Sequence, residues 1–203
     1  MSNPPRSSDQ KLQDIQKRAF HYFECEANPA NGLIRDKTAP DDKSPLDWPS
    51  SIAATGFALA CYPVAVTRDF LSREAAVQRT LATLRFFAGS AQGTEPDATG
   101  YRGFYYHFLD MQTGRRAWQC ELSTVDTALL LAGMLVCARF FTADAPDEVE
   151  IRSLTDSLYR RVEWDWALDG DSTVSMGWRP ESGFLPFRWK GYNEALLLYL
   201  LAL

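Results

Sequence analysis

The stretch TALLLAGMLVCARFF, residues 127–141, carries a single charge, Arg139, and has no polar side at helical spacing. A helix that is apolar on every side must be buried on every side. Two other segments read the same way, SIAATGFALACYPVAV (51–66) and EALLLYLLAL (194–203). The segments that precede each of them are different. Residues 9–26 place Leu12, Ile15, Ala19 and Tyr22/Phe23 on one side, and residues 72–90 place Val77, Leu81, Leu84 and Ala88 at i, i+4, i+7 and i+11. Residues 146–163 carry Ile151, Leu154, Leu158 and Val162. These are surface helices with one buried stripe. Surface and buried helices therefore alternate three times, the buried ones starting near residues 50, 123 and 193, a period of roughly 70 residues. Two concentric layers of alternating helices are what an α/α toroid requires. The fold class is read as all-α, with three helix pairs.

The connections are unequal. Loops from a surface helix into the next buried one are long (27–50, 91–122 and 164–193), while those leading back out, such as Thr67–Leu71 and Thr142–Ala145, are short. Long loops are functional or disordered, and these are too aromatic for disorder: FYYHFLD, RAWQC, EWDWAL and GWRPESGFLPFRW lie within them. Short hairpins are expected near Met111–Arg115 and Pro180–Gly183. All three long loops would gather on the face where the buried helices begin, which is the expected cleft.

Bulk properties narrow the function. A net charge of −5 with scattered basic residues argues against a nucleic-acid partner. An apolar share of 46% against 23% charged is globular composition. Cys25, Cys61, Cys120 and Cys137 form no metal-type spacing and read as buried thiols. With His21 and His107 the only histidines, no metal site and no cofactor are expected. The polar start MSNPPRSSDQ lacks the apolar core of a signal peptide, and no apolar stretch reaches the length of a membrane span. Residues 1–8 read as a flexible terminus and 9–203 as one domain. The chain stops in LLLYLLAL without a helix-stop signal, and a six-pair ring at this repeat needs about 400 residues. The domain is therefore read as truncated at its C-terminal side.

GLIRDK, SIAATGFALACYPVAV, GFYYHFLDMQTGRRAW, ELSTVDTALLLAG, WDWAL, GWRPESGF and GYNEALLLYLLAL, in this order, resemble successive blocks of the glycoamylase-like domain. That family includes endo-β-1,2-glucanases. From about residue 12 to the end, the chain is similar to the N-terminal half of such a domain. The resemblance implies an (α/α)6 barrel, a polysaccharide or oligosaccharide substrate and carboxylate catalysis. Family members are often exported, which leaves localisation open.

Glycoside hydrolysis needs one carboxylic acid to protonate the leaving oxygen and one carboxylate to activate water or attack the sugar. Glu121, Asp126 and Glu194 stand where buried helices begin and are the candidate catalytic residues. Each has a plainer reading. Acids favour helix starts, and Ser123 with Asp126 fits a capping box. Glu194 is followed by nine uncharged residues, and an apolar setting would raise its pKa as a general acid requires. Asp36, on the first long loop, is a candidate for binding substrate. So are Tyr106, His107, Asp110 and Trp118 in the second loop, and Trp178, Trp189 and Tyr192 in the third. Packing of the loops onto the rim is the competing role for each aromatic. Tyr105, Trp164 and Trp166 belong to the same walls, and Arg35, Arg116 and Arg179 are candidates for orienting a carboxylate or binding hydroxyls. The best reading is a glycoside hydrolase acting on a β-glucan, with β-1,2-glucan preferred. The alternative is a non-catalytic glucan-binding or assembly module; a helical protein-interaction repeat fits less well.

Overall fold

A computed structural model describes residues 7–38 and 48–203. Most of the terminus expected to be flexible, residues 1–6, lies outside the described residues, as does 39–47 of the first long loop. The six expected helices are present: α1 Ser8–Cys25, α2 Ile52–Thr67, α3 Arg73–Gly89, α4 Thr124–Phe140, α5 Pro146–Arg160 and α6 Leu196–Leu201. Serines start four of them. Ser7 and Gln10 form a reciprocal capping box at α1. The hydroxyls of Ser51, Ser72 and Ser123 accept the N–H three residues on, from Ala54, Ala75 and Asp126. At α5, Pro146 stands in the first turn, where its missing N–H is not needed.

Packing sorts the helices into two sets. The apolar α2 lies along α4, and α6 also packs on α4, while α3 packs on α5. The α2–α4 seam is a backbone contact. A Cβ at Gly133 would lie 2.1 Å from the carbonyl oxygen of Gly56, and one at Gly56 would lie 2.5 Å from that of Leu129. Only hydrogen fits at either position. Ala128, Leu130, Leu131, Met134 and Cys137 of α4 are buried around this crossing, with Ala58, Leu59 and Tyr62 of α2. Pro63 lies inside α2 and lacks the N–H that would bond to the carbonyl of Leu59. The thiol of Cys137 donates to that orphaned oxygen at 3.0 Å.

Two expectations about burial need correction. Phe57 and Val64 of α2 are about half exposed, and on the short α6 Leu200 is 60% exposed. These helices are thus apolar all round but covered on one side only. Cys25 is exposed and Cys61 half-buried; the buried thiols are Cys120 and Cys137.

The all-α reading is also incomplete, because the long loops form sheets. Strands β1 Ser50–Ser51 and β4 Phe108–Leu109 pair with each other. Strands β2 Gly100–Tyr101, β3 Phe104–Tyr106, β5 Leu122–Ser123, β6 Gly177–Arg179 and β7 Gly183–Phe184 form one antiparallel sheet in the order β2-β3-β5-β6-β7. The turn expected at 180–183 joins β6 to β7, and that at 111–115 is closed by the Leu109–Arg116 bridge. The segment Trp164–Leu168 is a 3-10 helix. Among the described residues no helix is long and apolar enough to cross a membrane.

Candidate active site

The sheet register assembles the site. Tyr106, Leu122 and Trp178 stand opposite one another on β3, β5 and β6. One step along, the N–H of His107 bonds to the carbonyl of Glu121, and Arg179 follows Trp178. His107, Glu121 and Arg179 therefore share a cross-strand row. Successive strand residues face opposite ways, and the two rows behave accordingly. Tyr106 and Leu122 are fully buried, and Trp178 packs among Tyr101 and Trp166. His107, Glu121 and Arg179 are all part-exposed on the other face. A side chain at Gly177 would crowd Glu121, its Cβ lying 3.0 Å from Glu121 Cγ. Glycine leaves that carboxylate its room.

His107 sits between two carboxylates. Its Nδ1 is 3.0 Å from Glu121 Oε1 and its Nε2 3.7 Å from Asp126 Oδ2. The ring stacks flat on Phe108 at 3.9 Å between centroids, and Phe108 in turn meets Trp118 at 5.2 Å. On its far side Glu121 has Arg179 Nη2 at 3.6 Å. The His107 hydrogen bond holds the Glu121 carboxyl below the usual range against the opposing effect of burial, with help from the Arg179 charge. Burial pushes His107 down, but the Glu121 hydrogen bond and the charges of Asp126, Glu121 and Asp36 outweigh it, so its pKa is raised. Ser123 is the N-cap, as its position suggested. The capping box, however, does not form: Asp126 Oδ2 accepts the Ser123 hydroxyl at 2.5 Å and turns toward His107.

Trp118 is 63% exposed and, like Gln119, has a left-handed backbone, with φ of 55° and 50°. Such conformations are strained for residues other than glycine. The buried Arg116 holds them, bonding the carbonyls of Gln119 and Cys120 and pairing with Glu181. Arg116 is thus a strut under the loop.

The remaining candidates separate. Asp36 is close enough to His107 to act on its charge. Tyr106 is a core residue: its hydroxyl is buried, and burial pushes its pKa to about 12. Asp110 is exposed but committed to its own turn, accepting from Gln112 N, Thr113 N and Thr113 Oγ1. The indole N–H of Trp189 bonds Thr124 Oγ1 at the start of α4, a packing role. Tyr192 is 90% exposed. Glu194 is also exposed, in the turn before α6, instead of lying against the apolar surface that its sequence suggested. Tyr105 is buried, its hydroxyl bonded to Phe87 O, and Arg35 pairs with Glu26. Phe108, the floor under His107, is a site residue that its sequence context did not reveal. No group of three or more potential metal ligands occurs among the described residues.

A Parabacteroides distasonis protein described as an exo β-1,2-glucooligosaccharide sophorohydrolase (non-reducing end) is 26% identical over 207 residues, covering 98% of this chain and 27% of that protein. The structure of an endo-β-1,2-glucanase from Chitinophaga pinensis, in complex with sophorotriose and glucose, superposes with a TM-score of 0.85. Its identity is 24%, over 97% of this chain and 47% of its own. A glucoamylase-like protein from Bacteroides uniformis gives a TM-score of 0.84 at 26% identity, over 98% and 47%. No family model matches the chain. The chain spans 27% of the curated relative's length and 47% of each of these two structures. Sequence and fold together bear out the resemblance to the glycoamylase-like, endo-β-1,2-glucanase-type hydrolases.

Proposed function

We propose that this chain forms one side of the active cleft of a glycoside hydrolase that cuts β-1,2-linked glucan, its helices being three pairs of an (α/α)6 barrel. The row His107–Glu121–Arg179, with Asp126 beside it, is the observation that carries the reading. Glu121 is held ionised by His107 and Arg179. It suits the role that needs a carboxylate, activating water or steadying positive charge on the sugar ring, and not that of proton donor. Asp126 supports it from the start of α4. Glu194 is the proposed proton donor. It is exposed in the free chain, in the turn where the third long loop runs into α6. Trp118, pushed outward beside Phe108, offers a flat apolar face for a glucose ring.

The test is incubation with linear β-1,2-glucan, β-1,3-glucan and starch, reading new reducing ends. Hydrolysis of β-1,2-glucan alone is the expected result. Glu194→Gln and Glu121→Gln, each first shown to melt like the wild type, should each lower the rate about 10²–10⁴-fold. Full turnover by folded Glu194→Gln would remove it from the proton-donor role. The second reading, a glucan-binding module, draws on the partial span of the relatives. It predicts retention of β-1,2-glucan without new reducing ends.

A further inference from the structure

We infer that His107 is a positioning residue, an imidazolium bridge that holds the Glu121 and Asp126 carboxylates in fixed relation on the sugar-facing side of the sheet. The inference rests on the function proposed above and assigns His107 a task other than touching substrate. The geometry carries it. Each ring nitrogen faces a different carboxylate, Nδ1 at 3.0 Å and Nε2 at 3.7 Å. A neutral imidazole has one N–H and would turn a lone pair toward one of the two acids, whereas the protonated ring presents a donor to both. The ring is also fixed in place. It stacks on Phe108, and the backbone that carries it is tied on both sides: the main-chain N–H of His107 bonds Glu121 O, and its main-chain carbonyl accepts from Ile52 N at the start of α2.

The charged groups around the ring are Glu121 ahead of β5, Asp126 on α4 and Asp36 on the first long loop, with Arg179 of β6 reaching Glu121 from the far side. Three negative groups surround the imidazole, and they favour its charged form over the opposing effect of burial. Loss of that proton removes the positive charge between Glu121 and Asp126 and turns a lone pair toward one of them. Activity would then fall on the alkaline side through displaced carboxylates, without His107 passing any proton to the sugar.

The chain has two histidines, so an imidazole NMR titration gives two signals, and His21→Gln assigns them. His107 should titrate above its ordinary value of 6.5, with the midpoint moving down in Glu121→Gln and in Asp126→Asn. A midpoint at or below that value, unmoved by both substitutions, overturns the inference. The second arm is the pH profile of β-1,2-glucan hydrolysis. His107→Gln should lower kcat about 10²-fold with KM little changed, the effect of misplacing a reacting group by about 1 Å, and should abolish the alkaline limb. Hydrolysis by the variant with wild-type kcat and an unchanged limb also overturns it. If the wild type cleaves no glucan, the function reading fails, and the titration still decides whether His107 bridges the two acids.

Discussion

Gly133→Ala tests the packing argument through the sign of its effect. Helix propensity alone predicts that alanine in mid-helix stabilises by about 1 kcal/mol. The structure predicts the opposite. The new methyl would stand 2.1 Å from the Gly56 carbonyl oxygen, with the Gly56 carbonyl carbon and Cα also within 3.0 Å. Non-bonded contact needs roughly 3.5 Å, so α2 and α4 must separate by about 1 Å. No rotamer change relieves this, since every obstructing atom is backbone. Overpacking of this kind costs about 1–3 kcal/mol, and an all-backbone clash belongs at the upper end. After subtracting the propensity gain, a net loss of about 1–2 kcal/mol remains. At about 2–4 °C per kcal/mol for a chain of this size, Tm should fall by about 2–8 °C. Circular-dichroism melts and urea unfolding would measure it, with Gly89→Ala as the control because nothing lies within 4 Å of that position. A Gly133→Ala protein that melts at or above the wild type would refute the seam as described.

Arg116→Met strips the carbonyls of Gln119 and Cys120 of their donor and leaves Glu181 unpaired. At about 1–3 kcal/mol for a buried group left unsatisfied, urea unfolding should show a loss of about 2–4 kcal/mol, and Trp118 fluorescence should report a rearranged loop. The Glu121–His107 pair predicts a window of pH dependence. Glu121, its pKa lowered, contributes stability above its ordinary 4.5 that is lost as pH falls through the folded value. His107, its pKa raised, contributes fully below 6.5 and loses that contribution as pH rises through its folded value. The gap in urea midpoint between wild type and Glu121→Gln should therefore peak between these two values; a gap independent of pH would count against the pairing.

The helices were legible because their signals are long. Seventeen residues of α4 with one charge at each end and none between leave little room for another reading, and serines mark the starts of α2, α3 and α4. The sheet was not legible, because strands of two or three residues show no alternation. That gap explains the mixed outcome at the site. His107 and Glu121 were named as candidates from their residue types and the helix start, but that they share a row depends on register, which the sequence does not display. Tyr106 was grouped with His107 as a neighbour in sequence, although adjacent residues on a strand face opposite sides. Ser123 and Asp126 fit a capping box by spacing, and only the hydroxyl's direction shows that the carboxylate is used elsewhere. Glu194 was placed by the apolar run after it, which in the fold is covered on one side only.

The five-stranded sheet draws its strands from two of the long loops, β2, β3 and β5 from the second and β6 and β7 from the third. One ladder of hydrogen bonds thus fixes residues far apart in the chain, and this constrains how the cleft can change. A single residue inserted within β5 would exchange the two faces of that strand, burying Glu121 and presenting Leu122 to solvent. The turns at 102–103, 111–115 and 180–182 carry no such constraint, since lengthening them leaves the ladder in step. Tolerated insertions, and with them changes in the outline of the candidate site, should concentrate at those turns.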